Sequence, residues 1–546
     1  MKIALAQLNY HIGNFEHNTK KIIEHIALAK ADGADLVVFA ELAVCGYPPR
    51  DFLEFDEFIS LCEDAAKEIA GHCIGIACII GLPVRNNAPA GKDLYNAAYF
   101  IENGEVKAVT RKALLPNYDV FDEYRYFEPA NEFECIDFQG TRIALTICED
   151  LWNINNNPLY ISNPMDVLIT QKPDVMINIA ASPFSYQHDD ERRTVLADNA
   201  KKYHLPLLYV NQVGAQTEII FDGGSLVYDK EGNLLDEMPY FKEHLRTYTL
   251  NGKQIEGYSP VTYKAVSDIE QIHDALVMGI QDYFRKSGFS KAVLGLSGGI
   301  DSAIVCALAC RALGPENVMA VLMPSKYSSD HSIKDALDLV ENFGCKHEII
   351  PIKEAADAFD SMMANAFTGL SFNLTEENIQ ARSRGIVVMA MSNKFGYILL
   401  NTSNKSECAV GYGTLYGDMC GAIGVIGDVY KTQIYELAHY INKDGEVIPE
   451  NTIVKPPSAE LRPGQKDSDS LPDYDTLDAI LYQFIELKKS STAIIALGYD
   501  EALVRRIIKM VNAAEFKRYQ TPPILRVSPK AFGMGRRMPI VGKYLA

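Results

Sequence analysis

A glycine-rich turn between two apolar runs is the feature that most constrains how this chain can fold. The turn is Ser297-Gly298-Gly299-Ile300-Asp301-Ser302, between the apolar run 292–296 and the helix-like run 303–313. Glycines permit a sharp turn that brings several backbone N–H groups toward one anion, and the positive end of the following helix points to the same place. The order strand, turn, helix therefore predicts a site for a polyphosphate.

The turn is not a Walker loop, because the Gly-x-x-x-x-Gly-Lys-Ser/Thr spacing is absent and no lysine follows the second glycine. Ser297 and Ser302 add hydroxyl donors, and Asp301 adds a carboxylate that could hold a metal ion beside phosphate. The string resembles the pyrophosphate loop of the ATP pyrophosphatase family, which activates a substrate as its adenylate and releases pyrophosphate. The alternative is an ordinary strand-to-helix turn, against which the complete Ser-Gly-Gly-x-Asp-Ser string argues.

Length and charge limit the classes of protein to consider. The chain has 546 residues, more than one hydrophobic core accommodates, so two or more domains are expected. It carries 52 Lys and Arg against 71 Asp and Glu, a net charge of −19, which disfavours general binding to nucleic acid or to anionic membranes. No apolar run approaches the length of a membrane span.

Cysteine usage and the first residues indicate the compartment. The 11 cysteines are scattered, their number is odd and no C-x-x-C pair occurs. This pattern indicates neither a zinc ribbon nor a dithiol redox motif, and free thiols suit a reducing compartment. The first eight residues read as a strand and lack the apolar core and cleavage site of a signal peptide. We therefore expect a cytoplasmic enzyme.

The first half of the chain mixes strands, helices and hairpins. Alternation and turn signals predict a helix near 15–31, strands over 2–9, 35–42, 141–147, 175–180 and 207–211, a hairpin over 96–112 around Asn103-Gly104, and a late hairpin over 224–228 and 234–238. Weak periodicity from 239 to 264 predicts a linker. We expect one domain over 1–245, a linker over 246–265 and a second domain over 266–546.

The second half alternates strands with helices. Ser267 followed by Glu270 is a capping box that predicts a helix ending at Gly288. Strands are predicted over 292–296, 318–323, 347–352 and 397–401, which implies an α/β fold with a doubly wound parallel sheet and ligands beyond the strand carboxyl ends. Residues 455–473 are rich in Pro, Ser, Asp and Gly, which predicts either a mobile lid or a disordered segment.

Three chemically active residues end predicted strands in the first half. Glu41 follows the apolar run 36–40, Lys112 ends the first hairpin and Cys148 follows the run 143–147. Each alone has an ordinary interpretation, as an inert core thiol or an ion-pairing residue. Together, and in this order, they resemble the Glu-Lys-Cys triad of the nitrilase family of C–N hydrolases over roughly residues 1–250.

The nitrilase resemblance implies an α-β-β-α sandwich and an amidase mechanism. A free thiol has a pKa of about 8.5, so Glu41 would take its proton, Cys148 would attack an amide carbonyl and Lys112 would stabilise the oxyanion. The resemblance also implies contacts between a glutamine substrate and Tyr118, Ser182 and His188.

A nitrilase-like amidase followed by an ATP pyrophosphatase domain resembles the glutamine-dependent NAD synthetase family over nearly the whole chain. The resemblance implies a Rossmann-like second domain with ATP contacts at Gly295, Leu296, Ser297, Gly298, Gly299, Ile300, Asp301, Ser302, Thr402 and Lys431. It implies deamido-NAD contacts at Asn378, Arg382, Glu407 and Lys517, magnesium ligands at Asp301 and Glu407, and Ser458 on the lid. Leu415 stands where short-form synthetases often have lysine.

The resemblance implies that deamido-NAD is adenylated by ATP with Mg²⁺ and then amidated to NAD by ammonia from glutamine, in a homo-oligomer. Because ammonia must be neutral to attack and water would protonate it, we also expect a sheltered passage for ammonia. Asparagine synthetase would use an N-terminal cysteine, whereas this chain carries Lys2. GMP synthetase uses an unrelated glutaminase, and thiolating relatives carry extra cysteine pairs. Two alternatives stay open: another ATP-dependent amidotransferase with a different acid substrate, and a nucleotide-sensing protein without catalysis.

Overall fold

The computed structural model describes residues 1–154, 159–263 and 265–544. The chain divides into two compact units, Met1–Ala265 and Val266–Ala546. Separate clusters of buried apolar side chains lie within each unit, as expected for a chain too long for one core. Within the described ranges, no helix is both long and apolar enough to cross a bilayer.

The first unit is built on two main sheets. Its helices are α1 Phe15–Ala31, α2 Asp56–His72, α3 Glu123–Tyr126, α4 Pro164–Leu168 and α5 His188–Tyr203. Its strands are β1 Lys2–Gln7, β2 Leu36–Val38, β3 Ala77–Arg85, β4 Leu94–Glu102, β5 Glu105–Arg111, β6 Ile136–Phe138, β7 Thr141–Ile147, β8 Val175–Ala180, β9 Leu207–Asn211, β10 Val213–Gln216, β11 Ile219–Asp222, β12 Leu226–Tyr228, β13 Leu234–Glu237, β14 His244–Asn251 and β15 Gln254–Glu256. One sheet has the order β15-β14-β1-β2-β3-β4-β5, the other the order β13-β12-β9-β8-β7-β6, and β10 pairs with β11.

The two main sheets pack face to face because their strands bury side chains on both faces. Ile3 and Leu5 of β1 enter a core shared with Leu145 of β7, whereas Ala4 enters a second core formed with α1 and α2. This alternation is the two-residue period of a strand. Leu196 of α5 packs against the second sheet. The layers confirm the α-β-β-α sandwich expected from the nitrilase resemblance.

Part of the predicted linker is a strand pair of the first sheet. β14 runs antiparallel to β1 over the whole length of β1, with His244 opposite Gln7 and Thr249 opposite Lys2, and β15 turns back along β14. The linker prediction over 246–265 is therefore wrong for residues 246–256. β14 lies beside the edge strand β15 and alternates buried Tyr248 with half-exposed polar residues, so its apolar signal in the sequence is weak.

The second unit is a parallel sheet with helices. Its helices are α6 Asp268–Ser287, α7 Ile300–Leu313, α8 Asp330–Phe343, α9 Lys353–Met363, α10 Leu374–Phe395, α11 Lys405–Val410, α12 Lys431–Ile441, α13 Glu450–Val454, α14 Tyr474–Ile485, α15 Ser491–Ile495, α16 Glu501–Ala513 and α17 Glu515–Arg518. Its strands are β16 Ala292–Gly295, β17 Val318–Leu322, β18 Lys346–Ile349, β19 Ile398–Asn401 and β20 Ile423–Gly424. The order β18-β17-β16-β19-β20, parallel throughout, confirms the doubly wound prediction.

Residues 455–473, predicted as a lid or a disordered segment, fold back onto α8 and α10. The Glu460 carboxylate accepts hydrogen bonds from the hydroxyls of Ser329 and Ser332 at 2.9 and 2.8 Å. The side-chain amide of Gln380 donates to the carbonyl of Leu461 at 3.0 Å. Ser458 bonds within the segment, donating to the Gln465 carbonyl. These contacts fix the segment beside the glycine-rich turn, since Ser332 also packs against that turn.

A buried ion cluster joins α11 to the last part of the second unit. The Lys405 ammonium contacts Asp428 Oδ1 at 2.9 Å and the Glu486 carboxylate, and both Lys405 and Asp428 have fully buried side chains. It also donates to Ser528 Oγ at 2.7 Å and to the Lys530 carbonyl at 2.9 Å. One cation thus compensates two buried carboxylates, whose burial would otherwise be costly.

Replacing Lys405 with methionine should lower the free energy of unfolding of the second unit by about 3–5 kcal/mol, because two carboxylates are left buried without a cation. The measurement is urea unfolding of the full chain, in which the midpoint of the transition of the second unit reports the change in its free energy of unfolding. Lys334→Met is the control, since Lys334 is exposed and pairs with Asp338 on the surface of α8. Equal midpoints for the two variants would contradict the role of Lys405.

Candidate active sites

The first site is centred on a buried lysine between two carboxylates. Lys112 Nζ lies 2.7 Å from Glu41 Oε1 and 2.9 Å from each oxygen of Glu123, and the side chains of Lys112 and Glu41 are fully buried. Burial alone would lower the pKa of Lys112, but the charges of Glu123 and Glu41 outweigh burial and raise it well above its ordinary value. The ammonium therefore stays charged and can stabilise an oxyanion.

Glu41 stands in the turn that follows β2. The next residue, Leu42, has a φ of 47°, and β2 ends at Val38, so the strand predicted over 35–42 is shorter than expected. One Glu41 oxygen accepts from the Asn96 amide at 2.7 Å, and the other accepts from the Ala181 backbone N–H at 3.0 Å. With Lys112, these donors fix the orientation of the carboxylate.

Glu123, the first residue of α3, completes this group and was not predicted from the sequence. It is buried, and the Tyr47 hydroxyl donates to its Oε1 at 2.8 Å. It follows Lys112 by 11 residues, with nothing in its local sequence to separate it from a surface glutamate at the start of a short helix. Only the folded chain shows that Lys112 has two counter-charges.

Cys148 lies in the strained turn after β7. Its φ is 45°, in the left-handed region that residues with a side chain seldom adopt. Asp150, two residues on, accepts from the Ile147 N–H at 3.0 Å with one oxygen and from the N–H groups of the two residues after Lys112, at 3.0 and 2.9 Å, with the other. A single buried carboxylate thus joins the turn that carries Cys148 to the segment that carries Lys112.

The thiol of Cys148 is held protonated in this site. Burial and then the charge of Glu41 raise the pKa of the thiol well above its ordinary value, while Lys112 opposes the rise. A nucleophilic Cys148 therefore requires a base. Glu41 is the carboxylate that acts most strongly on the thiol, which makes it the candidate for that role. The structure thus brings together the predicted residues Glu41, Lys112 and Cys148.

Two of the three predicted glutamine contacts lie side by side. Ser182 follows β8, and its Oγ lies 3.4 Å from Nε2 of His188, the first residue of α5. The His188 ring stacks on Trp152, with ring centres 5.2 Å apart and planes 6° apart. Because Trp152 belongs to the turn after Cys148, these polar groups stand beside the nucleophile.

The third predicted contact, Tyr118, is bonded to a glutamate that the sequence did not single out. The hydroxyls of Tyr118 and Tyr160 donate to the Glu149 carboxylate, each at 3.0 Å to Oε1. Burial raises the pKa of Glu149 to about 7, although Lys112 and the two hydroxyls lower it in part. Glu149 directly follows Cys148, so the site holds a further carboxylate that titrates near neutrality.

The second site is the glycine-rich turn between β16 and α7. Gly298 has a φ of 81°, and a Cβ there would lie 2.1 Å from the Ser332 carbonyl oxygen, so α8 can approach only a glycine. The Ser297 N–H donates to Ser302 Oγ at 3.2 Å, and that hydroxyl donates to the Gly299 carbonyl at 3.0 Å. The glycine-rich turn predicted from the sequence therefore lies at the carboxyl end of β16, and its binding of an anion stays a prediction.

Charged side chains converge at the start of α7. Asp301 accepts from the Asn404 amide at 2.9 Å and from the ammonium of Lys431, which is 1% exposed and so is not a surface charge. Burial and the charge of Asp301 raise the pKa of Glu407 well above its ordinary value, and Lys431 lowers it in part. Asp467, from the segment 455–473, also acts on Glu407. The site thus has more carboxylates than cations.

Two family models match the chain in tandem, carbon–nitrogen hydrolase over residues 2–259 and NAD synthase over residues 272–521. The glutamine-dependent NAD(+) synthetase of a Synechocystis strain is 45% identical over 98% of both chains, and that of Thermotoga maritima is 39% identical over 100% of this chain and 99% of its own. The chain belongs to the glutamine-dependent NAD(+) synthetase family. The structure of the Acinetobacter baumannii family member in complex with ADP is 38% identical over 100% of this chain and 99% of its own, with a TM-score of 0.79.

The synthetase family resemblance also predicts dinucleotide contacts, and three of the four meet at one segment of this chain. Asn378 Oδ1 accepts from the Thr414 hydroxyl at 2.8 Å, and Arg382 Nε donates to the Leu415 carbonyl at 3.2 Å. Lys517 donates to the backbone carbonyls of residues 411 and 413 at 2.8 and 2.7 Å. The fourth, Glu407, lies instead with Asp301.

Proposed function

We propose that this chain transfers the amide nitrogen of glutamine to the carboxyl group of deamido-NAD, forming NAD at the expense of ATP. The observation that carries the proposal is the presence, in one chain, of a buried Glu41–Lys112–Cys148 group and an anion-binding loop at 295–302 backed by Asp301 and Lys431. An amidase site liberates ammonia, and an adenylating site consumes it. The family relatives that share both halves are named for this combination.

In the first unit, Glu41 removes the thiol proton as Cys148 attacks the amide carbon of glutamine. Lys112 stabilises the oxyanion, ammonia leaves with a proton returned by Glu41, and a thioester remains. Glu41 then activates water, which releases glutamate and restores the thiol. When Glu41 holds the proton, Glu123 is still the counter-charge of Lys112, so the ammonium stays in place through the cycle. A positioned acid–base group of this kind contributes about 10²–10⁴-fold to the rate.

Glutamine recognition uses the polar groups around Cys148. The α-ammonium of glutamine suits the Glu149 carboxylate, because burial raises the pKa of that carboxyl and a cation beside it would offset the cost of the buried charge. Ser182 and His188 are proposed to contact the α-carboxylate, since their hydroxyl and imidazole are paired beside the turn. Tyr118 contributes through its hydrogen bond to Glu149.

The role of Glu149 predicts a pH dependence of kcat/KM for glutamine. A carboxyl with a pKa of about 7 is ionised above that pH, so kcat/KM should rise as the pH increases through about 7 and fall below it. The measurement is glutamate release from pH 6 to pH 8.5. Glu149→Gln should have a lower kcat/KM and lose this step in the profile, and an unchanged step in that variant would contradict the assignment.

In the second unit, ATP is proposed to bind with its phosphates at residues 295–302, and to contact Thr402 directly after β19 and Lys431 at the start of α12. The nicotinate carboxylate of deamido-NAD attacks the α-phosphorus, pyrophosphate leaves into the glycine-rich turn, and ammonia then displaces AMP from the acyl adenylate. Asn378, Arg382, Glu407 and Lys517 are the proposed dinucleotide contacts. Backbone N–H groups and the α7 N-terminus stabilise the departing pyrophosphate.

The carboxylates of Asp301 and Glu407 fit a magnesium ion. Both are oxygen ligands, and burial and the charge of Asp301 raise the pKa of Glu407, a cost that a bound cation would offset. When bound there, magnesium would neutralise phosphate charge beside the turn. A homo-oligomer remains a prediction from the family resemblance, a cytoplasmic location remains a prediction from cysteine usage, and a sheltered passage remains a prediction from the need to keep ammonia neutral.

The experiment that tests the function measures pyrophosphate release from purified protein with ATP, glutamine and a panel of carboxylic acids. Deamido-NAD should support release, with NAD, AMP and glutamate formed in equal amounts. Release with another acid and not with deamido-NAD would support a different amidotransferase. Absence of any glutamine hydrolysis would support a nucleotide-sensing protein.

A further inference from the structure

Three cysteines that are distant in the sequence meet within the second unit. Cys306 and Cys310 are four residues apart and lie on one face of α7, while Cys345 stands between α8 and β18. The sulfur atoms of Cys306 and Cys345 are 4.0 Å apart, and all three sulfurs lie within 4.8 Å of one another. The cluster, Cys306, Cys310 and Cys345, has no part in the proposed reaction.

The spacing of the cluster matches that of thiolates around one metal ion. A zinc–sulfur bond is about 2.3 Å long, which separates the sulfurs of a tetrahedral site by ~3.8 Å and those of a trigonal site by ~4.0 Å. A disulfide needs its sulfurs about 2.0 Å apart and would leave the third thiol unpaired. The observed spacing therefore suits a shared cation with little movement of the backbone.

We propose that Cys306, Cys310 and Cys345 bind a zinc ion through their three thiolates. The side chains are buried, with exposures of 0, 4 and 6%, and a divalent cation leaves the site with only one net negative charge. Cys310 lies in the last turn of α7, where the helix dipole favours a cation. His347, two residues after Cys345 and close enough to act on its thiol, or a water molecule would supply the fourth ligand.

The place of the cluster in the fold gives the ion a structural role. β18 is one of the two edge strands of the parallel sheet, and its side chains are all exposed, so little apolar burial holds it in place. A zinc ion would tie the start of β18 to α7, the helix whose first turn carries Asp301. It would therefore stabilise the sheet edge and the helix behind the glycine-rich turn.

The sequence pattern expected for a zinc site is absent here. The spacing is C-x-x-x-C followed by a cysteine 35 residues later, whereas the motif considered from the sequence is C-x-x-C. A helix brings residues at i and i+4 to one face, and the third ligand arrives through the packing of α8 and β18. The missing C-x-x-C pair therefore does not exclude a cysteine site.

The test measures the zinc content of the full chain by elemental mass spectrometry. The protein is analysed as purified without chelators and again after equilibration with zinc. We expect one zinc per chain, and a cobalt-substituted protein with sulfur-to-cobalt charge-transfer absorption. The Cys345→Ser variant should lose the bound zinc and the charge-transfer absorption of the cobalt form. The Cys135→Ser variant should retain both properties, because Cys135 is a partly exposed cysteine of the first unit. Chelation should lower the thermal midpoint of the wild-type protein, and added zinc should restore it.

Three results would overturn the proposal. Each is measured on the wild-type protein, so the test does not depend on whether the variants fold. The first is absence of zinc both as purified and after equilibration. The second is cobalt bound without sulfur-to-cobalt absorption, which would place the metal elsewhere. The third is a disulfide between Cys306 and Cys345 in peptides from the unreduced protein, which would make the cluster a redox pair with one spare thiol.

Discussion

Cys148→Ala is expected to abolish NAD synthesis from glutamine while leaving synthesis from added ammonium intact. The variant removes the atom that attacks the amide, so glutamate release should fall by ~10⁴-fold or more, as when the nucleophile of a hydrolase is removed. Added ammonium supplies ammonia directly and bypasses that step. The loop at 295–302 and its charged partners lie in the other compact unit, so adenylation should not depend on the thiol.

The measurement compares NAD formation by Cys148→Ala with glutamine and with ammonium as nitrogen source, alongside glutamate release. Cys62→Ala is the matched control, because Cys62 is also a buried thiol of the first unit but lies on α2, and both activities should survive in it. Loss of both activities in a folded Cys148→Ala protein would contradict two separable sites.

The reciprocal variant, Asp301→Asn, is expected to stop NAD synthesis from either nitrogen source while glutamine hydrolysis continues. Asparagine keeps the size of the side chain but removes the charge that pairs with Lys431 and that is proposed to hold magnesium. Loss of such electrostatic stabilisation costs about 10²–10³-fold in rate per group, and loss of the metal would add to it.

The assay for Asp301→Asn follows pyrophosphate release with ammonium and glutamate release with glutamine in the same preparation. Asp444→Asn serves as the control, because Asp444 is an exposed carboxylate of the same unit and should leave both rates unchanged. NAD synthesis at the wild-type rate by the Asp301→Asn variant would contradict the assignment of Asp301 to the adenylating site.

Elements fixed by local patterns were predictable from the sequence. The buried strands β7, β8 and β9 and the helix α1 have the predicted bounds, because continuous apolar runs or a clear helical period define them. The Asn103-Gly104 turn has φ angles of 51° and 83°, as a tight hairpin turn requires. Glu41, Lys112 and Cys148 could be grouped because each follows a strand and the three, in this order, resemble the nitrilase triad.

Features that depend on distant contacts could not be predicted in this way. Without the family resemblance, nothing in the local sequence of Lys431 distinguishes it from a solvated surface lysine. It is buried because its ammonium meets Asp301, 130 residues earlier. Glu123 becomes a partner of Lys112 only when α3 folds toward it, and Glu149 gains its character from burial beside Tyr118. The strand β14 likewise exists because it pairs with β1 across the whole unit.

The central claim is that one chain moves nitrogen from the amide of glutamine to the carboxyl group of deamido-NAD. In the most direct measurement, the protein is given glutamine labelled with ¹⁵N at the amide, together with ATP and deamido-NAD. The mass of the NAD formed is then determined by mass spectrometry. We predict NAD that carries the heavy nitrogen, formed with equal amounts of AMP and pyrophosphate. Unlabelled NAD, or ADP and phosphate in place of AMP and pyrophosphate, would contradict it.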